Sequence, residues 1–288
     1  MLINFFFSDF FPSLSWIDKF IGNISRFEKN FMGIDELYEE LIELHLNPNR
    51  PKSMEGDILD ILLQLKKEKF TPIDLTWEHI KAIAMNVLLA GSSTTAAVVI
   101  WTMTALMKNP KAMKKVQEEI RKSIQKNDNI VNENDIQNLP DLKEVIKEAF
   151  RLYPPTPLLI PRESMMKSTL GGYEIQLKTI IHVNVWAIAR DVEIWKNLED
   201  FIPERFLNSD VDFKGQYFEL IPFGAGRSGC LAMTLGVASV ELALSNLLYS
   251  FDWNLPYGMQ KEDIDTNAKP GITMHKKNDL SLIAKNYM

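Results

Sequence analysis

Cysteine and histidine are scarce in this sequence of 288 residues. The one cysteine, Cys230, excludes an internal disulfide framework and is typical of a protein from a reducing compartment. The four histidines are scattered without metal-ligand spacing, so we expect surface or core roles for them. They are His45, His79, His182 and His275. A metal centre built from several sulfur or imidazole ligands is therefore disfavoured.

An excess of positive charge is also lacking. The formal net charge is -6 and the pI is near 5.4, whereas phosphate binding needs a concentrated basic face. The lysine groups at 66–69 and 111–115 are typical of solvated helix faces. We therefore predict no nucleic-acid partner.

A secretory signal is not recognisable either. Met1–Phe7 is apolar but lacks a basic start and a long uninterrupted apolar core. Residues 83–107 carry no charge and have the length of a bilayer span. They also contain Asn86 and several serines and threonines, which are costly in lipid. We interpret them as a long buried core helix, with a membrane span as the alternative.

Helical periodicity dominates the rest of the chain. The predicted helices cover residues 25–46, 56–69, 76–107, 111–125, 141–153 and 230–250. Thr76 is the expected N-cap of the longest helix, and the prolines at 110 and 154–155 are expected to end helices.

The β signals are few. Residues 173–175 and 179–185 predict a hairpin, and residues 272–283 predict a closing strand. Residues 195–224 show little periodicity and should be irregular but packed. The predicted fold class is mainly α with a minor β-sheet, in a single domain over residues 1–288.

A glycine-rich run, Phe223–Cys230, leads into the last helix. Backbone N–H groups and the helix dipole at a helix start favour an anionic sulfur. Glycine also lets a flat cofactor come close to the main chain. The run therefore suits a single sulfur ligand to iron.

A second motif joins opposite charges on an apolar helix. Glu148 and Arg151 are three residues apart and share a helix face. A buried ion pair needs further hydrogen-bonding partners. Arg205 could supply one, with one carboxylate accepting from two guanidinium groups.

These motifs occur in an order that resembles the cytochrome P-450 family, and the plant microsomal clan in particular. The ordered set is Ala90–Thr95, Glu148xxArg151, Pro154-Pro155, Pro161–Glu163, Pro203–Phe206 and Pro222–Arg227 before Cys230. The resemblance covers essentially the whole chain but only the back part of the family fold. It implies an incomplete cytochrome P-450 fold whose front part, with anchor, hinge and early helices, is missing.

The resemblance also implies roles for individual residues. Cys230 would be the proximal thiolate ligand of haem b, and Glu148, Arg151 and Arg205 would form the structural triad behind it. Ala90 and Gly91 would leave space for O2, and Thr94 would help to deliver protons. The implied haem contacts further include Arg162, Phe223, Gly226 and Arg227. The implied substrate pocket contains Leu158, Leu159, Ile160, Ile272 and Thr273.

Three residues depart from the family pattern. Ser93 stands where the family usually has an acid beside the threonine, which predicts a slower or leakier proton relay. Ser228 replaces an arginine that pairs with a haem propionate, which predicts weaker haem retention. Arg227 or Arg162 would compensate in part. Ala232 adds one methyl group at a usual glycine position.

The implied function is that of a haem-thiolate monooxygenase of plant secondary metabolism, acting on an apolar small molecule. Electrons would come from NADPH through the NADPH-cytochrome P-450 reductase, a flavoprotein. The family is located on the cytosolic face of the endoplasmic reticulum membrane. Because no anchor is recognised in this chain, a cytosolic location is the alternative.

Three other functions stay open at this point. One is a non-catalytic remnant that binds haem weakly or not at all, and another is a haem-thiolate isomerase or dehydratase. The third is an NAD-binding oxidoreductase, because residues 224–229 satisfy GxGxxG. That motif requires a strand before it and a second parallel strand after its helix.

Overall fold

The computed structural model describes residues 6–52, 55–69, 72–124 and 130–287. The chain divides into two compact units, Met1–Ala90 and Gly91–Met288. Met1–Phe5 of the apolar N-terminal stretch and Gln125 of the predicted helix at 111–125 lie outside the described residues. The boundary between the two units falls inside one continuous helix, Trp77–Lys108, and not in a linker. The single domain expected over residues 1–288 therefore stays a prediction.

The first unit is helical. It comprises α1 (Phe7–Phe10), α2 (Ser15–Phe20), α3 (Asn23–Leu46), α4 (Ile58–Glu68) and the beginning of α5 (Trp77–Lys108). Its apolar core consists of Tyr38, Ile42, Leu59, Leu62, Ile80 and Ala84. The helices predicted at 25–46 and 56–69 are thereby confirmed.

Three groups that could ligate a metal lie together in this unit. One ligand atom each from His45, Asp57 and Asp60 lies within 4.8 Å of the others. Asp57 caps α4 and lies 2.8 Å from His45 Nε2. Arg50 NH1 lies 2.6 Å from Asp60 Oδ1. Because a guanidinium already neutralises Asp60, we interpret the cluster as an ion-pair network between α3 and α4.

In the described residues of the second unit, the rest of α5 is followed by four α-helices. They are α6 (Pro110–Ser123), α7 (Pro140–Leu152), α8 (Val185–Ile188) and α9 (Met233–Ser250). Proline begins both α6 and α7, where the missing N–H leaves no bond unmade. The core between α5, α6, α7 and α9 includes Leu106, Val116, Ile120, Leu142, Ile146, Phe150, Leu244 and Leu248. The helices predicted at 111–125 and 141–153 are confirmed, whereas α8 was not predicted.

Among the residues that the structure describes, three two-stranded antiparallel sheets complete this unit. β1 (Arg162–Glu163) pairs with β4 (Ile180–Ile181), β2 (Ser168–Leu170) with β3 (Tyr173–Ile175), and β5 (Phe251–Asn254) with β6 (Ile283–Asn286). The predicted hairpin between 173–175 and 179–185 is therefore wrong. β3 instead turns back on β2 through Gly171 and Gly172, whose positive φ angles suit a two-residue turn.

The predicted strand at 272–283 is also wrong for most of its length, although Ile283 lies in a strand and Lys276 forms an isolated bridge to Ala268. β6 begins at Ile283, and residues 273–275 form irregular backbone that bonds to other segments. Apolar residues there pack against neighbouring segments instead of joining a ladder.

α5 is the one helix in the described part of the chain that is long and apolar enough to cross a membrane. Only 17% of its apolar window is buried, so the predicted buried core helix is correct mainly for its later part. There Ala97, Val98 and all residues from 101 to 107 are buried. A core helix of a soluble protein meets the same length and composition, so α5 does not by itself indicate a membrane protein.

Candidate functional site

The loop Phe223–Cys230 presents the cysteine at the surface. Gly224 and Gly226 have φ angles of +72° and +70°, a left-handed backbone that suits glycine. The Cys230 N–H donates to the Phe223 carbonyl at 2.9 Å, and the Gly229 N–H donates to the Gly226 carbonyl at 3.0 Å. Cys230 itself is exposed and carries a free thiol. A fixed backbone therefore holds an accessible sulfur.

The helix after this loop begins later than predicted. α9 starts at Met233, with Ala232 as its N-cap, and not at Cys230. Cys230 thus precedes the first helical turn, and its own N–H is already bonded inside the loop. The loop's own hydrogen bonds, more than the first turn of α9, position this cysteine.

Two of the predicted haem contacts hold the ends of the loop. The Phe223 ring packs edge-to-face on Phe150 and Phe213, with centroids 5.3 Å and 5.8 Å away. Arg162 of β1 donates from NH2 to the Ser228 carbonyl at 2.6 Å. The packing anchors the loop to the core, and β1 places a guanidinium beside its outer end.

The other two predicted haem contacts, Gly226 and Arg227, are exposed. A Cβ at position 226 would meet no atom within 4 Å. At Gly224 a Cβ would instead lie 3.7 Å from the Leu159 side chain. The backbone at 226 is thus open to a flat group, while Leu159, a predicted pocket residue, packs beside the loop.

The three predicted triad residues meet in one buried network. Arg151 donates from Nε and NH2 to the two carboxylate oxygens of Glu148, both at 2.8 Å. Arg205 Nε donates to Glu148 Oε1 at 3.1 Å, and so does the Ile202 N–H at 2.9 Å. Glu148 and Arg151 are both fully buried. Such a pair is stable only when its remaining donors also find acceptors.

Those donors bond to backbone carbonyls of the irregular segment that follows α8. Arg151 NH1 donates to Ala189 and Leu198, and Arg205 NH1 donates to Lys196. The network therefore fixes residues 189–205 against α7. Since α7 also contributes Phe150 to the anchor under Phe223, the triad and the cysteine loop share one support.

A second group of residues surrounds the later part of α5. Trp101 stacks on Tyr153 at 4.5 Å and donates from Nε1 to the Met274 carbonyl at 2.6 Å. The Met274 N–H donates to the Pro155 carbonyl at 2.9 Å. Burial raises the pKa of Tyr153, so this phenol stays neutral. These contacts bring the segments around 155–160 and 271–275 together beside α5.

The predicted pocket residues lie on these two segments. Leu158, Ile160 and Ile272 are 45%, 55% and 46% exposed, while Leu159 and Thr273 are partly buried. Exposed aliphatic side chains on these segments leave apolar surface for a ligand. The tertiary structure thus joins two of the predicted pocket segments.

On α5 itself, Ser93 and Thr94 are both partly buried. Gly91 has open space where a Cβ would point, and Ala90 is exposed. Ser93 Oγ lies 3.0 Å from His275 Nε2. The sequence analysis missed this partner, because the two residues are 182 positions apart and His275 was expected on the surface or in the core.

The NAD-binding alternative is wrong. Residues 217–223 before the GxGxxG run form turns and irregular backbone instead of a strand. β5 pairs antiparallel with β6, whereas the dinucleotide fold needs a parallel strand after the helix.

Comparison with known proteins gives one consistent result. The family model for cytochrome P-450 matches residues 1–282. The 5-OH-xanthotoxin synthase of Pastinaca sativa is 50% identical over 100% of this chain and 57% of its own length. The strychnine-11-hydroxylase of Strychnos nux-vomica is 48% identical over 96% of this chain and 54% of its own length.

Solved structures agree. A zebra fish cytochrome P-450 with progesterone has a TM-score of 0.76 and 27% identity to this chain. The aligned part covers 92% of this chain and 59% of the zebra fish chain. The chain spans a little over half the length of the relatives it matches. Because the family model matches residues 1–282, nearly the whole chain, the chain belongs to the cytochrome P-450 family.

Proposed function

We propose that this chain binds haem b through the Cys230 sulfur and acts as a haem-thiolate monooxygenase. In that reaction O2, an apolar substrate, two electrons and two protons give a hydroxylated product and water. The observation that carries the proposal is the exposed sulfur of Cys230 on a loop fixed by its own hydrogen bonds and by the Phe223 anchor.

The residues around the sulfur suit this group. Cys230 offers the one thiol of the chain, without a disulfide partner. Arg162 and the exposed Arg227 supply positive charge for the propionates, and the open backbone at Gly226 admits a flat ring. When bound, haem iron supplies the activation of O2, and a thiolate ligand favours cleavage of the O–O bond.

The chain's own residues then have separate tasks. The Glu148 network keeps the support under the cysteine loop rigid, so that the sulfur does not move during turnover. The small residues Ala90 and Gly91 leave space on α5 for O2, and the Thr94 hydroxyl accepts and donates protons beside that space. Leu158, Ile160 and Ile272 exclude water and bind apolar substrate surface.

The substrate class follows from this lining and from the names of the relatives. Their names describe a 5-OH-xanthotoxin synthase, a 6,7,8-trihydroxycoumarin synthase and a strychnine-11-hydroxylase. We infer an apolar plant metabolite as substrate. Electrons would come from NADPH through a flavoprotein reductase on the cysteine side, at the cytosolic face of the endoplasmic reticulum.

The absorption spectrum of the reduced, carbon monoxide-treated protein tests the proposal. The 288-residue chain should show the red-shifted band of a thiolate-ligated haem. A Cys230→Ser variant should lose that band and keep its circular dichroism, because position 230 is exposed. A wild-type protein without the band would instead support the non-catalytic remnant.

A further inference from the structure

We propose that His275 positions the Ser93 hydroxyl and supplies it with protons. Ser93 would pass these protons to the side of α5 on which O2 would be activated. The inference rests on the proposed function and concerns how that site obtains its protons. Its basis is the contact of 3.0 Å between Ser93 Oγ and His275 Nε2.

His275 is held in place on both sides. The Met274 carbonyl accepts from the buried Trp101, and the Met274 N–H donates to Pro155. The His275 carbonyl accepts from the Lys269 N–H at 2.7 Å. These contacts fix the backbone that carries the imidazole beside α5.

The helix presents Ser93 to this segment by its periodicity. Ser93, Ala97 and Trp101 are spaced four residues apart and share one face of α5. Ala97 and Trp101 pack with Met274 in one buried cluster. The contact between Ser93 and His275 therefore extends a packed interface by one helical turn.

The contact supplies an ionisable side chain, which residues 82–107 of α5 lack. Residues 82–107 include no Asp, Glu, His, Lys, Arg, Tyr or Cys. A serine hydroxyl holds its proton at neutral pH, whereas an imidazole exchanges protons there. Lys276 and Lys277 follow His275 directly in the chain, and Lys269 contacts its carbonyl through the backbone N–H. The Lys276 ammonium donates to the Asp265 carbonyl.

The proton step is balanced at each atom. The Nε2–H bond of a protonated His275 breaks as a new O–H bond forms at Ser93. The original hydroxyl proton of Ser93 leaves for the next acceptor, for which the adjacent Thr94 hydroxyl is the candidate. His275 is partly exposed and regains its proton from solvent. No electron moves in this step.

The first experiment observes the contact without turnover. Side-chain NMR of labelled histidine in the diamagnetic ferrous carbon monoxide complex should resolve the four rings, and His275→Gln assigns one of them. Ser93→Ala should shift the Nε2 resonance of that ring and leave the other three unchanged. An unshifted resonance would overturn the proposed contact.

The second experiment measures where the electrons go. With reductase, NADPH and xanthotoxin as the probe compound, His275→Gln should release at least about threefold more hydrogen peroxide per NADPH oxidised, since a general acid is lost. Ser93→Asp in the same variant should restore the wild-type ratio, because a carboxylate then supplies the proton. The exposed His182→Gln is the matched control and should change nothing.

The outcomes separate the two proposals. A normal carbon monoxide band with an unchanged peroxide ratio in His275→Gln overturns the relay and leaves the monooxygenase proposal standing. A raised ratio that Ser93→Asp does not restore indicates a structural role for His275 and also overturns the relay. A wild-type protein without the band overturns both proposals.

Discussion

Ser228 shows how much a single residue decides in this loop. Its side chain is exposed, and its backbone carbonyl accepts a hydrogen bond of 2.6 Å from Arg162. A Ser228→Arg change adds a charge for a haem carboxylate, and charge-assisted bonds contribute about 1.5–3 kcal/mol. Haem transfer to apomyoglobin should therefore slow by about tenfold. Ser228→Gln, which adds length without charge, is the control, and an equal effect there would contradict the electrostatic explanation.

At the scale of elements, α7 is fixed to residues 189–205 by charge. Glu148→Gln leaves Arg151 buried without its counter-ion, which costs about 3–5 kcal/mol. Urea unfolding should report this loss as a lower free energy of unfolding. In contrast, Glu174 pairs with Lys167 at the surface with 61% of its side chain exposed. Glu174→Gln should therefore cost less than about 1 kcal/mol, and a similar loss in both variants would argue against the buried network.

At the scale of the whole molecule, the proposed substrate surface combines segments more than a hundred positions apart, 158–160 and 272–273. Contact with an apolar ligand at one aliphatic side chain contributes about 1.5–3 kcal/mol. If the haem and substrate proposals hold, Ile272→Asp should raise the dissociation constant of an apolar ligand by about tenfold or more, measured from the shift of the haem absorption band. Tyr257 is fully exposed, so Tyr257→Asp serves as the control for loss of an apolar side chain elsewhere. This control should leave the dissociation constant unchanged.

The helices show what local pattern predicts well. Repeats of three and four residues placed α3, α4, α6 and α7 to within a few residues, because each buries one apolar face. The strands were less accessible, since strands of two or three residues carry almost no periodicity. The pairing of β3 with β2 depended on Gly171 and Gly172, and the pattern around them fits either neighbour equally well.

The sequence by itself determined the chemistry that is available: one sulfur, a glycine-bent approach to it, and the Glu148–Arg151 spacing on an apolar helix. These features are local, so short-range rules suffice to recognise them. Only the tertiary structure decided that Cys230 precedes the first turn of α9 and that His275 meets Ser93. Contacts between distant positions depend on how the buried surfaces of several elements pack together, and no local pattern encodes that packing.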